Sequence, residues 1–198
     1  MQTKLAALVA LATATFAGAV PAVARVVPTP TQDVAPPSPN LEARAAEVCG
    51  FPVVPLYRAA SDSLNDRIFT TDAEEIEAAL ASGQYVREAV IAYVYSPSTG
   101  PSVPNAVPLY KLYSPALTDH FITTSWAEVQ SSVNDGYEYQ NITAYVYPEA
   151  QSDCAGTVPL YREYDPTTHD HQFTTSKPAT TPPAGYFNEG IAAYVFAA

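Results

Sequence analysis

Two dipeptides bring together residue types that chemistry often uses, Asp119-His120 and Asp170-His171. A carboxylate beside an imidazole can orient the ring as a general base, or the pair can exchange hydrogen bonds with a ligand. An enzyme needs one asymmetric constellation, whereas here the same pair recurs in similar surroundings. No nucleophile with a dedicated base accompanies it. Gly-x-Ser-x-Gly is absent, and the Thr-Thr pairs that follow fit strand positions. The expectation is a non-catalytic protein without a cofactor. His169-Asp170-His171 could present two imidazoles on one face of an extended segment, but no further ligands stand nearby in sequence. A chance histidine in a turn is the plainer account, so no metal site is expected.

A tyrosine precedes each dipeptide. An exposed ring stacks on the apolar face of a pyranose while a neighbouring carboxylate accepts from its hydroxyls. Tyr113, Asp119 and His120, and then Tyr164, Asp170 and His171, are therefore the candidate ligand-binding residues. A structural account competes with this one: the Asp caps a turn, and the His, or Arg67 after Asp66, spans to a neighbouring strand. Ala60 stands where the other two copies have the tyrosine, so binding is expected in the second and third copies only.

These residues recur because the chain repeats. Pro-Leu-Tyr stands at 55–57, 108–110 and 159–161, and Asp-(Arg/His)-x-x-Thr-Thr at 66–71, 119–124 and 170–175. Ala-Tyr-Val-aromatic closes each copy at 92–95, 144–147 and 193–196. Three tandem repeats follow, at 55–107, 108–158 and 159–198. Each copy reads as a strand, a turn, a second strand, a short helix and two more strands. Ile142, Ala144 and Val146 alternate with polar or aromatic neighbours at the period of a strand. Asp72-Ala73-Glu74-Glu75 and Ser125-Trp126-Ala127-Glu128 are capping boxes, and Gly83 and Gly136 are stop signals. In repeat 3, Lys177-Pro178 and Pro182-Pro183 occupy the helical span, so a loop is expected there. The fold class is mainly β with short helices. Three four-stranded units would close residues 49–198 into a pseudo-threefold, β-trefoil-like domain.

The flanks set the compartment. Residues 1–24 read as a secretory signal, with Lys4, an apolar run from Leu5 to Phe16 and Ala22-Val23-Ala24 as the cleavage site. That run is short for a membrane span, and no second one follows. Residues 25–48, proline-rich from Pro28 to Pro39, read as a linker or as a pro-segment cut near Arg44. Two cysteines in an exported chain normally pair, so Cys49 and Cys154 are expected to form a disulfide, the alternative being free or intermolecular thiols. Asn141-Ile142-Thr143 is a glycosylation sequon. Twenty acidic residues against nine Lys and Arg argue against a nucleic-acid partner.

The motifs resemble a family of secreted repeat domains of unknown function with a Pro-Leu-Tyr-Arg…Gly-Asp-His-Phe-Tyr-Thr-Thr…Gly-Tyr…Ala-Tyr-Val-Tyr pattern, from Phe51 onward. This chain departs from it at Asn65, Thr118 and His169, which replace the turn glycine, and at Arg67 and Ala60. The resemblance implies extracellular binding, in some members beside secreted hydrolases. The expected function is a secreted, lectin-like module that binds a glycan or cell-surface glycoconjugate. The rival is an extracellular protein-interaction domain, a hydrolase inhibitor or effector, acting through the Lys177–Gly185 loop.

Overall fold

The computed structural model describes residues 47–178 and 185–198. The segment read as a secretory signal, nearly all of 25–48 and most of the Lys177–Gly185 loop lie outside the described residues. The last two residues of the expected linker are not linker: Glu47–Val48 forms strand β1, paired with Phe51–Pro52.

Each repeat builds the same antiparallel arrangement. In repeat 1, β2 (Phe51–Ser61) pairs on one side with β3 (Asp66–Thr70) and on the other with β4 (Val86–Tyr95). Repeat 2 repeats this with β5 (Val107–Ser114), β6 (Asp119–Thr123) and β7 (Glu138–Val146). Repeat 3 does so with β8 (Thr157–Asp165), β9 (Asp170–Thr174) and β10 (Phe187–Phe196). The hairpin turns place Asn65, Thr118 and His169 at φ of 51°, 56° and 60°. These are the positions where the pattern that the motifs resemble has glycine, the residue that adopts this conformation at no steric cost.

A unit therefore has three strands where the sequence suggests four. The segment read as two terminal strands runs as one, because bulges let it bend without breaking. Each long strand slips register twice against its partner, bypassing Ile91 and Glu88, Thr143 and Gln140, or Ala192 and Glu189. A bulged residue leaves the ladder, so its carbonyl and side chain become available to something else.

The helices α1 (Ala73–Ala81) and α2 (Trp126–Asn134) follow the Thr-Thr pairs in repeats 1 and 2. Asp72 caps the first by accepting from the Glu74 and Glu75 amides, and Ser125 caps the second by accepting from the Glu128 amide. The return bond of a capping box is missing. Instead Thr70 and Thr123 accept from the cap residues' own N–H groups at 3.0 Å, which frees Glu75 and Glu128. Ile76 and Val129 anchor the two helices to the core. Beneath α2 lie Leu112 and Phe121, whose counterparts in repeat 3 are Glu163 and Gln172, hydrogen-bonded to each other at 2.8 Å. An apolar helix face has nothing to pack on there.

The core draws equivalent residues from all three copies. Leu56, Leu109 and Leu160 are fully buried, as are Ala92, Ala144 and Ala193. Each leucine contributes about 2 kcal/mol of burial. The three long strands meet at their ends, through Tyr95↔Tyr145, Tyr93↔Phe196 and Tyr147↔Tyr194. The last aromatics of the three motifs, Tyr95, Tyr147 and Phe196, pack edge to face with centroids 5.5–6.3 Å apart. Beside them Cys49 and Cys154 form the expected disulfide, with Cα atoms 5.6 Å apart.

Candidate functional site

In a strand, neighbouring side chains point to opposite faces. Asp119 and His120 consequently do not act on each other, and each turns to a different repeat. The Asp66 carboxylate accepts from the His120 amide at 2.9 Å, from His120 Nδ1 at 2.8 Å and from the Tyr85 hydroxyl at 2.6 Å. One repeat on, Asp119 accepts from the His171 amide at 3.0 Å, from His171 Nδ1 at 2.7 Å and from the Tyr137 hydroxyl at 2.6 Å. Asp170 turns to repeat 1, where Arg67 pairs with the same oxygen that accepts from Tyr186 of its own repeat. Its other oxygen is buried with no partner among the described residues.

The electrostatics agree with this assignment. Burial pushes the Asp66 carboxyl up, but its hydrogen bonds and charge pairing with His120 and the Tyr85 bond outweigh that and hold it below the usual carboxylate range. An ionised Asp66 can only accept, so Nδ1 of His120 carries the proton. Burial and the bonds to Asp66 and Asp119 push the Tyr85 and Tyr137 hydroxyls well up. Both phenols stay neutral and donate.

The six candidate ligand residues thus divide. Asp119 is 0% exposed, Asp170, His120 and His171 are buried, and both carboxylates are committed to neighbouring repeats. Tyr113 and Tyr164 are half-buried and stack on His120 and His171, with centroids 4.2 and 4.4 Å apart. Tyr113 is grouped with Asp66 rather than Asp119, and Tyr164 with Asp119 rather than Asp170. In repeat 1, where Ala60 lacks the ring, Arg67 lies over the ring of Tyr186. Asn141 is exposed. Among the described residues no group of three or more His, Cys, Asp or Glu is placed to hold a metal ion, and no helix is long and apolar enough to cross a membrane.

Two further layers of contacts join the repeats. Thr71 donates to the carbonyl of the bulged Thr143 at 2.7 Å, and Thr124 to that of the bulged Ala192 at 3.3 Å. Glu75, released from its cap, pairs with Lys111, and Glu128 pairs with Arg162 at 2.9 Å. Lys111 is 1% exposed.

A cluster of open aromatic rings lies elsewhere. Trp126, the first residue of α2, is 50% exposed, and its ring lies 5.2 Å from that of Tyr110 and 5.9 Å from that of the exposed Tyr139. Gln130 and Asn134 line the same groove of about 410 Å³. The sequence marks this place faintly, through the chain's single tryptophan standing where repeat 1 has Ala73. Periodicity assigns such a position to a helix start and is silent on its exposure.

No curated protein and no solved structure matches the chain. A family model described as Domain of unknown function (DUF5648) matches residues 55–196, the three repeats from the first Pro-Leu-Tyr to the last aromatic of the core. The chain belongs to that family.

Proposed function

We propose that the protein is a secreted, non-catalytic carbohydrate-binding module, and that its sugar contacts are the exposed rings of Trp126 and Tyr139. The observation that carries this reading is the groove they form with Gln130 and Asn134. Flat rings offer a face to the axial C–H groups of a pyranose, and the two amides supply both donors and acceptors for its hydroxyls. Tyr113 and Tyr164 remain secondary contacts through ring edges only. We further read the fold as a closed pseudo-threefold domain, built of three-stranded units in place of the four-stranded ones of a β-trefoil. Export rests on residues 1–24 and on a disulfide that oxidising compartments preserve.

Trp126 is also the probe. Its fluorescence, titrated with gluco-, chito- and xylo-oligosaccharides, is expected to shift saturably with at least one of them. Trp126→Ala and Tyr139→Ala are expected to abolish retention on the matching polysaccharide without changing the fold. Absence of any shift, with no retention on any polysaccharide, overturns the reading. The rival, protein interaction, draws on Phe187 and Ile191 of β10, 62% and 48% exposed. Partner capture lost on Phe187→Ser while glycan binding is absent would favour it. If the host glycosylates, a glycosidase-sensitive mobility shift lost in Asn141→Gln places a glycan on β7.

A further inference from the structure

Repeats 1 and 2 each have a groove between the helix start and the long strand, and the two are filled differently. In repeat 2 the indole of Trp126 stands in it, against Tyr110 and Tyr139. In repeat 1 the positions that flank the indole recur. Tyr57 holds the place of Tyr110, both being third in Pro-Leu-Tyr, and Arg87 holds that of Tyr139, pairing with Ala59 as Tyr139 pairs with Leu112. Ala73 holds the place of Trp126 as the first helical residue. The ring itself is absent, and a cavity of about 480 Å³ remains, lined by Pro55, Tyr57, Ala73, Val90 and Tyr93 with Glu77 and Arg87 at its side.

We infer that this cavity is a binding site for a small planar aromatic molecule of the indole or phenol class. Its volume lies in the range of ligand sites, roughly 300–1,000 Å³. The second copy of the same frame shows what such walls accommodate: a flat indole, stacked obliquely on a tyrosine. Arg87 lies over the Tyr57 ring at 5.5 Å and is held there by Glu77 at 2.5 Å. A guanidinium plane beside a tyrosine is a stacking partner that asks for no charge on the ligand. The site is separate from the Trp126 groove and independent of its reading as a sugar platform.

The probe is indole itself, added to the intact chain and followed by NMR, with cyclohexanol as a non-planar control. Saturable shifts are expected at Tyr57, Val90 and Tyr93, with a dissociation constant between about 10 μM and a few mM for so small a ligand, and weaker shifts with cyclohexanol. Ala73→Trp supplies the missing ring from within. It is expected to fold, to melt higher than the parent, and to weaken indole binding at these residues by at least about tenfold. Should that variant fail to fold, Tyr57→Leu, which keeps bulk and removes the flat face, is expected to weaken binding comparably. Shifts confined to Trp126 and Tyr139, equal shifts with cyclohexanol, or unchanged binding in a folded variant would each overturn the assignment.

Discussion

The junction between repeats 1 and 2 and the one that returns repeat 3 to repeat 1 use equivalent strands and share the phenol bond to the carboxylate, but differ in their other polar contacts. At the first, Asp66 takes an amide, an imidazole and a phenol, Thr71 reaches a bulge carbonyl, and Glu75 holds Lys111. The junction between repeats 2 and 3 reproduces all three layers. At the returning junction Arg67 stands for the histidine, and one oxygen of Asp170 has no partner among the described residues. No bond from Thr175 to Ile91 is present there. Arg58, the counterpart of Lys111, pairs within its own repeat with Glu88 and donates to the Phe173 carbonyl at 3.2 Å. Apolar packing continues across this junction through Phe69 and Phe173, 4.9 Å apart. The covalent link also lies on this side, since Cys49 leads into repeat 1 and Cys154 into repeat 3. Two junctions are thus joined by three-layered polar networks, and the third by a sparser polar set, aromatic packing and a disulfide.

The largest test removes the covalent link. Replacing Cys49 and Cys154 together by serine is expected to cost about 4–5 kcal/mol in the chain-entropy account of so long a loop. Hydrogen exchange in that variant should rise first along β9 and β3. A rise centred on β6 would break the comparison. Next come the carboxylates. Asp119→Ala strands an imidazole and a phenol and should cost about 3–5 kcal/mol by urea denaturation, against about half that for Asp170→Ala. Equal losses would mean that the junctions are equivalent after all. Among the cations, Glu75→Gln leaves Lys111 buried without a counter-charge and should cost about 3 kcal/mol. Glu128→Gln should cost about 1 kcal/mol, because Arg162 keeps Glu189 at 2.8 Å.

Acid sharpens the same contrast. A carboxyl held low in the folded state stabilises fully above its unfolded value, 3.8, and the contribution is lost as pH falls through the lower folded value. Chemical denaturation of Asp66→Asn should therefore depend less on pH than the parent as the pH falls below about 4. The smallest effect belongs to the turns. Thr118, β-branched at φ 56°, should gain about 0.5–1 kcal/mol as glycine, measured as a rise in melting temperature, while Asn65→Gly stays near zero.

The sequence disclosed what is local and repeated. Offsets within each copy located the strands, both helices and the paired cysteines. It did not disclose partners across repeats. Asp119-His120 reads as a dyad because the residues adjoin, yet strand geometry sends them to opposite sides and joins each to a residue about fifty positions away. Glu75 and Glu128 read as capping-box acids until Thr70 and Thr123 took that duty. The bulges were hidden for a different reason: an extra residue in a long β-rich segment leaves its composition unchanged and alters only what the segment faces.

The ring of Tyr95, Tyr147 and Phe196 bears on how the molecule is made. During synthesis the chain emerges from its N-terminus, and a domain completes its packing only when the pieces that must touch are out. Both cysteines and two of these three aromatics precede repeat 3. A nascent chain can close its disulfide and still hold Tyr95 and Tyr147 against an unfilled space until Phe196 arrives. The last described residue of the core is thus also the one that ends the vulnerable interval, when a half-made chain offers bare aromatic surface to whatever it meets.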